Sequence, residues 1–348
     1  MIWNLQYLRG LAAMMVVVFH VTDSSGRLGE ALVLPDFAIG QAGVDVFFVI
    51  SGFIMWVTTA TRPQSPGDFF FNRLERIGPL YWILTLALTA AALLAPSILR
   101  STQFDYEHFA GSMLFFPVMH PTLGNYNPVL FVGWTLNYEM AFYLLFALAL
   151  FLPARMRLPA LIGAMSLAVV AGYVFGASGV AGFYTRPIIL EFALGLVAGA
   201  VYLSSTTISR GVALTVFGSG MVFLFVLGTG EHSLLFAGIP AAMVVFGAAM
   251  AEKQRAPLFR SQPLLLLGNA SYSIYLSHIL VIPICQIAWS IIGLPVTGAW
   301  VAIYVAGMTS ACAIAGIITY YGLEKPLLAL MKSGLIRPVK GKGIAPAG

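Results

Sequence analysis

Charge is what this chain has least of. Across 348 residues there are 18 Lys and Arg and 13 Asp and Glu, so only 9% carry charge. A soluble globular domain carries about 25%. So few charges cannot cover a water-facing surface of this size, which excludes an ordinary cytosolic enzyme and a disordered chain. The basic excess is small, +5, and spread among loops, so no nucleic-acid-binding patch forms. Cysteine is nearly absent: Cys285 and Cys312 both sit in apolar runs, with no metal-ligand spacing and no disulfide framework. Both read as small core residues.

What the chain has is hydrocarbon. Apolar and aromatic residues make up 59%, in many long runs, so lipid is the solvent for most of the surface. A spanning helix needs about 20 mostly apolar residues. That ruler predicts an all-α, polytopic membrane protein of about ten spans, at 5–22, 40–59, 77–96, 129–152, 159–176, 185–204, 211–228, 234–250, 264–287 and 296–320. The run 109–118 is too short to cross and ends at Pro117, so it reads as a re-entrant or surface piece. Residues 11–19 look like a signal-peptide core, but only Arg9 precedes them and no small-x-small site follows before Asp23. They are expected to stay as the first helix.

Lys and Arg set the orientation. With the N-terminus in the cytoplasm, the inner side collects 15 basic residues, among them Arg9, Arg73, Arg76, Arg155, Arg210 and Lys253. The outer loops hold 3, Arg27, Arg100 and Arg186, which predicts both termini inside. Residues 1–331 are expected to form one transmembrane domain, and 332–348 a flexible basic tail attracted weakly to anionic lipid. No internal repeat and no second domain is evident.

Ionisable groups in lipid cost on the order of 3 kcal/mol or more each, so those present are candidates for function. His20 lies about 16 Å along the first helix from Arg9, and His278 about 22 Å along the ninth span from Pro263. Asp45, Glu139 and Glu191 each lie near the start of a span that enters from the outside. The shared depth suggests one cavity open to the outer side. Each group also has a bland reading. His20 can bond a helix carbonyl, His278 can pair between helices, Asp45 can cap a helix, and Glu139 and Glu191 can pair with Arg or Tyr. On the other side, Arg73 and Arg76 are three apart and share a helix face. Paired guanidinium groups suit a diphosphate or a phosphorylated ribose, and equally suit plain anchoring at the inner surface. A phosphate-bearing donor held there needs a long thin arm to reach His20, and acetyl-CoA has one. A membrane transporter of a sugar or polysaccharide precursor is the alternative, since it too uses polar groups at mid-depth.

Several stretches together resemble the acyltransferase-3 family of integral-membrane acyltransferases, in its exopolysaccharide-modifying, ExoZ-like branch. They are LQYLRGLAAMMVVVFH (5–20), GVDVFFVISGFIMW (43–56), FFFNRLERIGPLYW (69–82), GWTLNYEMAFYLLFA (133–147), ILEFALGLVAG (189–199), GNASYSIYLSHILVI (268–282) and LEKPLL (323–328). The resemblance implies a ten-helix domain in the bacterial cytoplasmic membrane. The reaction it implies is transfer of an acyl group, usually acetyl, from cytoplasmic acyl-CoA to a glycan hydroxyl. It marks His20 as the essential histidine and Arg73 and Arg76 as the paired donor-side arginines. Asp45, Ser51, Glu139, Glu191 and His278 fall on recurrent family positions. On that reading His20 is general base or transient acyl carrier, Asp45 or Glu139 orients its ring, and Tyr138, Glu191 and His278 contact the sugar. No metal is expected. The partners are an exopolysaccharide or lipid-linked oligosaccharide acceptor and membrane lipid, with self-association or polysaccharide-assembly proteins left open. Glu75 and Gly78 depart from the family pattern, where basic and bulky residues are common.

Overall fold

A computed structural model describes residues 2–25, 37–94, 104–228, 230–253 and 260–333. Arg27, Arg100 and Arg255 of the charge count, and the tail beyond Ser333, lie outside the described residues. Among the described residues every regular element is helical. In chain order they are α1 (Trp3–Asp23), α2 (Ala42–Thr61), α3 (Pro66–Leu94), α4 (Tyr106–Met113), α5 (Trp134–Ala149), α6 (Ala154–Val174) and α7 (Gly179–Tyr184). Then come α8 (Leu190–Leu203), α9 (Arg210–Leu227), α10 (Ile239–Lys253), α11 (Gln262–Ile292), α12 (Trp300–Thr319) and α13 (Lys325–Lys332).

Nine of the described helical segments are long and apolar enough to cross a membrane, and a tenth apolar segment, Pro187–Leu203, is shorter. The chain is a multi-pass membrane protein. The ten expected spans each find a helix, with two differences in length. The third begins at Pro66, eleven residues before the expected start, because 66–76 is a polar helical turn sequence that hydropathy does not register as span. The last continues through Met331. The 109–118 segment is a short helix, α4, opened by Asp105, whose carboxylate accepts from the His108 amide at 2.7 Å. Trp82 Nε1 donates to the Met113 carbonyl at 2.8 Å and ties α4 to α3.

With lipid tails as apolar as leucine, helices associate through close packing, and small residues let backbones meet. Helix α2 packs on α8 at Gly52 and Gly195. A Cβ on Gly52 would stand 2.1 Å from the Phe192 carbonyl oxygen, and one on Gly195 the same distance from that of Val49. Helix α1 meets α11 in the same way at Gly10 and Gly268. These contacts put α1, α2 and α11 around one axis, with α8 behind α2. The start of α1 is fixed by α10: Glu252 accepts from the Trp3 and Asn4 amides at 2.9 and 2.8 Å, a carboxylate at the positive end of a helix. Helices α6, α9 and α12 turn residues such as Leu167, Val226 and Ile318 outward, where lipid receives them.

Candidate active site

Three cavities follow one another through the bundle. The first, of about 250 Å³, is lined by Arg9, Arg73 and Arg76 with Ser51, Glu139 and Tyr143. The second, of about 460 Å³, is lined by His20, Asp23, Gln41, Trp134 and His232. Val44 and Tyr275 line both, so those two side chains are the shared wall. The third is an open groove of about 580 Å³ that includes Tyr126 and Arg186. It shares Gln41, Asn127, Trp134 and His232 with the second.

In the arginine cavity, α3 presents Arg73 and Arg76 on one face, as their spacing predicts, and α1 adds Arg9. Arg76 pairs with Glu324, which is buried and also accepts from Ser273 Oγ. Its guanidinium lies 5.4 Å from the centre of the Tyr272 ring. Glu139 Oε1 accepts from Ser51 Oγ at 2.7 Å and from the Tyr143 hydroxyl. Tyr143 lies four residues after Glu139, so one helix face carries both. Glu75 is not a lining residue. Arg73 Nε and Ser271 Oγ are buried on this wall with no hydrogen-bond partner among the described residues. Three guanidinium groups, buried polar atoms left open and an apolar floor fit a polyanion with a long uncharged arm.

In the second cavity His20 belongs to a histidine pair. His20 Nδ1 lies 3.0 Å from the Val16 carbonyl and 3.1 Å from His278 Nε2. His278 Nδ1 lies 3.2 Å from the Ile274 carbonyl. A carbonyl only accepts, so His278 carries its hydrogen on Nδ1 and accepts at Nε2. His20 then donates from Nδ1 to both Val16 and His278, which leaves the lone pair on Nε2. The ring packs edge-on against Phe19 and Phe131, at 4.9 and 5.3 Å between centroids. A neutral imidazole held in one tautomer and facing a cavity is suited to take a proton or an acyl group.

The other expected residues are distributed differently from a single outer cavity. Asp45 Oδ2 is 3.0 Å from His232 Nδ1, on the segment before α10. Glu139 sits with the arginines. The ring of His20 is therefore oriented by a carbonyl and a second histidine. Tyr138, Glu191 and His278 are buried behind the cavity walls. Tyr138 donates to the Phe183 carbonyl and stacks on that ring at 4.3 Å. Glu191 is fully buried beside Asp45. Sequence reasoning missed Arg9 as a cavity residue, having counted it only for orientation, and missed His232 and Tyr275. Among the described residues no three His, Cys, Asp or Glu side chains converge on one point.

Two named proteins are similar to this chain over most of its length. The exopolysaccharide production protein ExoZ of Rhizobium meliloti (strain 1021) is 38% identical over 316 residues, covering 90% of this chain and 94% of that protein. The putative membrane-bound transacylase BcsY of Komagataeibacter xylinus is 29% identical over 304 residues, covering 78% of this chain and 70% of that protein. No solved structure matches the chain. The helices that carry the arginines, the histidine pair and their shared wall all fall within residues 2–320, which match the acyltransferase domain of the acyltransferase-3 family, and to that family this chain belongs.

Proposed function

We propose that this membrane acyltransferase moves an acetyl group from acetyl-CoA to a hydroxyl of an exopolysaccharide or other cell-surface glycan. The arginine end faces the cytoplasm and the groove faces outward, in the bacterial cytoplasmic membrane. One observation carries the reading: the arginine cavity and the His20 cavity abut at Val44 and Tyr275. A donor anchored by its phosphates at Arg73, Arg76 and Arg9 would pass its pantetheine arm between these two side chains to reach the imidazole. The glycan acceptor agrees with the name of one relative, an exopolysaccharide production protein, and acyl transfer with that of the other, a putative membrane-bound transacylase.

In the proposed reaction His20 Nε2 takes the proton of the acceptor hydroxyl as its oxygen attacks the thioester carbonyl. The carbon–sulfur bond breaks, and the proton passes from His20 to the departing CoA sulfur. The same lone pair suits a transient acyl carrier, in which Nε2 receives the acetyl group and the hydroxyl then takes it. Intersecting initial-rate lines mark direct transfer and parallel lines mark the carrier. His278 fixes the tautomer in either case. Ser51 and Tyr143 hold Glu139 beside the donor's path.

The test is purified protein in lipid nanodiscs with radiolabelled acetyl-CoA and exopolysaccharide from cells lacking this chain. Label in the polysaccharide that disappears in His20→Ala supports the reading. Polysaccharide carried across vesicles without label supports the transporter instead.

A further inference from the structure

Four residues line both the His20 cavity and the outer groove: Gln41, Asn127, Trp134 and His232. They form the neck where the groove meets the His20 cavity. Their chemistry is uniform. Two are planar amides, one is an indole and one is an imidazole, and none is a fixed charge. His232 packs beside Trp134 at 5.2 Å between ring centroids. Its Nδ1 lies 3.0 Å from Asp45 Oδ2. A carboxylate accepts, so an imidazole hydrogen is on Nδ1, and in the neutral ring Nε2 carries the lone pair. Asp45 is fully buried, and Glu191 lies buried beside it, so the imidazole is backed by acid that no ligand in the neck touches. Asp23 also lines the cavity. An anion is disfavoured there, whereas a ring of neutral hydroxyls finds acceptors, donors and an aromatic face.

We propose that this neck is the subsite for a pyranose ring of the acceptor, in which His232, held by Asp45, accepts a hydrogen bond at Nε2 from a hydroxyl next to the one acylated and so selects the position modified. The inference rests on the acyl-transfer reading and deepens it. His20 performs transfer and His232 performs selection, both on the lining of the same cavity. Asp45 acts through His232 as a positioning residue.

The experiment compares His232→Ala, His232→Gln and Asp45→Asn with the parent protein in nanodiscs. The probes are acetyl-CoA and exopolysaccharide purified from cells lacking this chain. Rates are measured against each substrate, and the acetylated positions are read by NMR. Loss of one neutral hydrogen bond is expected to raise the acceptor KM by about tenfold in His232→Ala, with the acetyl-CoA KM within about twofold. The acetyl groups are expected to spread over additional positions. His232→Gln, whose amide oxygen still accepts, is expected to recover most of the selectivity, and Asp45→Asn to lose part of it. Unchanged acceptor KM and unchanged positions in His232→Ala overturn the inference while the transfer reading stands. An equal rise in both KM values overturns it as well, since it marks a structural role. No label transfer by the parent protein overturns both readings together.

Discussion

His278 Nε2 lies 3.1 Å from His20 Nδ1, although 258 residues separate them in sequence. The contact joins α11 to α1 beside the second cavity, and together with the Val16 carbonyl it places the hydrogen of His20 on Nδ1 and the lone pair on Nε2. The close approach of Gly268 to the Gln6 backbone sets the two helices near enough for it.

Removal of His20 is therefore expected to lower kcat by about 10²-fold or more, the contribution typical of a positioned base, while CoA binding is retained. His278→Ala leaves Val16 as the remaining partner of His20 Nδ1 and is expected to lower kcat by roughly tenfold. His278→Gln, with an amide oxygen that accepts from Nδ1–H, is expected to restore part of it. Single-turnover rates at saturating acetyl-CoA check all three.

The two arginines of α3 are expected to behave differently. Arg73 Nε is buried without a hydrogen-bond partner among the described residues, whereas Arg76 pairs with Glu324, so Arg73→Ala acts on the donor. One charge-assisted hydrogen bond is worth about 1.5–3 kcal/mol, so the acetyl-CoA KM is expected to rise by about ten- to a hundredfold with thermal stability preserved. Arg76→Ala also strips buried Glu324 of its cation and is expected to destabilise by about 1–3 kcal/mol. Thermal unfolding in detergent, with and without CoA, separates the two effects.

Val44, on the wall shared by the two cavities, is expected to govern passage between them. Val44→Phe is expected to preserve CoA binding and abolish transfer, because the added ring fills the shared wall. Val44→Ala is expected to raise the use of butyryl-CoA relative to acetyl-CoA, at a stability cost of about 1–3 kcal/mol. Competition between the two donors, resolved by mass spectrometry of the product, reads the ratio.

Gly52→Ala places a carbon where the Phe192 carbonyl oxygen stands, at 2.1 Å, so α2 and α8 must part. Overpacking of this kind costs about 1–3 kcal/mol. The expected result is a lower unfolding temperature in detergent, checked by following tryptophan fluorescence on heating.

The helices were legible because each hydrocarbon crossing writes a long apolar run, and runs of that length have few other uses. Pro66–Ile77 was not, since a helix that continues beyond the apolar region looks like loop to a hydropathy reading. Arg73 and Arg76 were legible because their spacing places them on one helix face, which needs no tertiary knowledge. The pairings of the acids were not. Whether Asp45 reaches His20 or His232 depends on how α2 is rotated and on where a distant loop returns, 187 residues further on. Counting from span ends gives Glu139 and His20 a similar depth, but along α5 Trp134 lines the His20 cavity and Glu139, further on, lines the arginine cavity, on the other side of the Val44–Tyr275 wall. Depth is one-dimensional information, and the site is assembled in three.

A structure of the protein with acetyl-CoA bound, determined by electron cryomicroscopy in nanodiscs, tests the central claim most directly. The account expects phosphate oxygens within about 3 Å of the Arg73 guanidinium, the pantetheine arm passing between Val44 and Tyr275, and the thioester carbonyl beside His20. Nucleotide density away from the three arginines, or an arm that ends on the donor side with the Val44–Tyr275 wall closed, would contradict it.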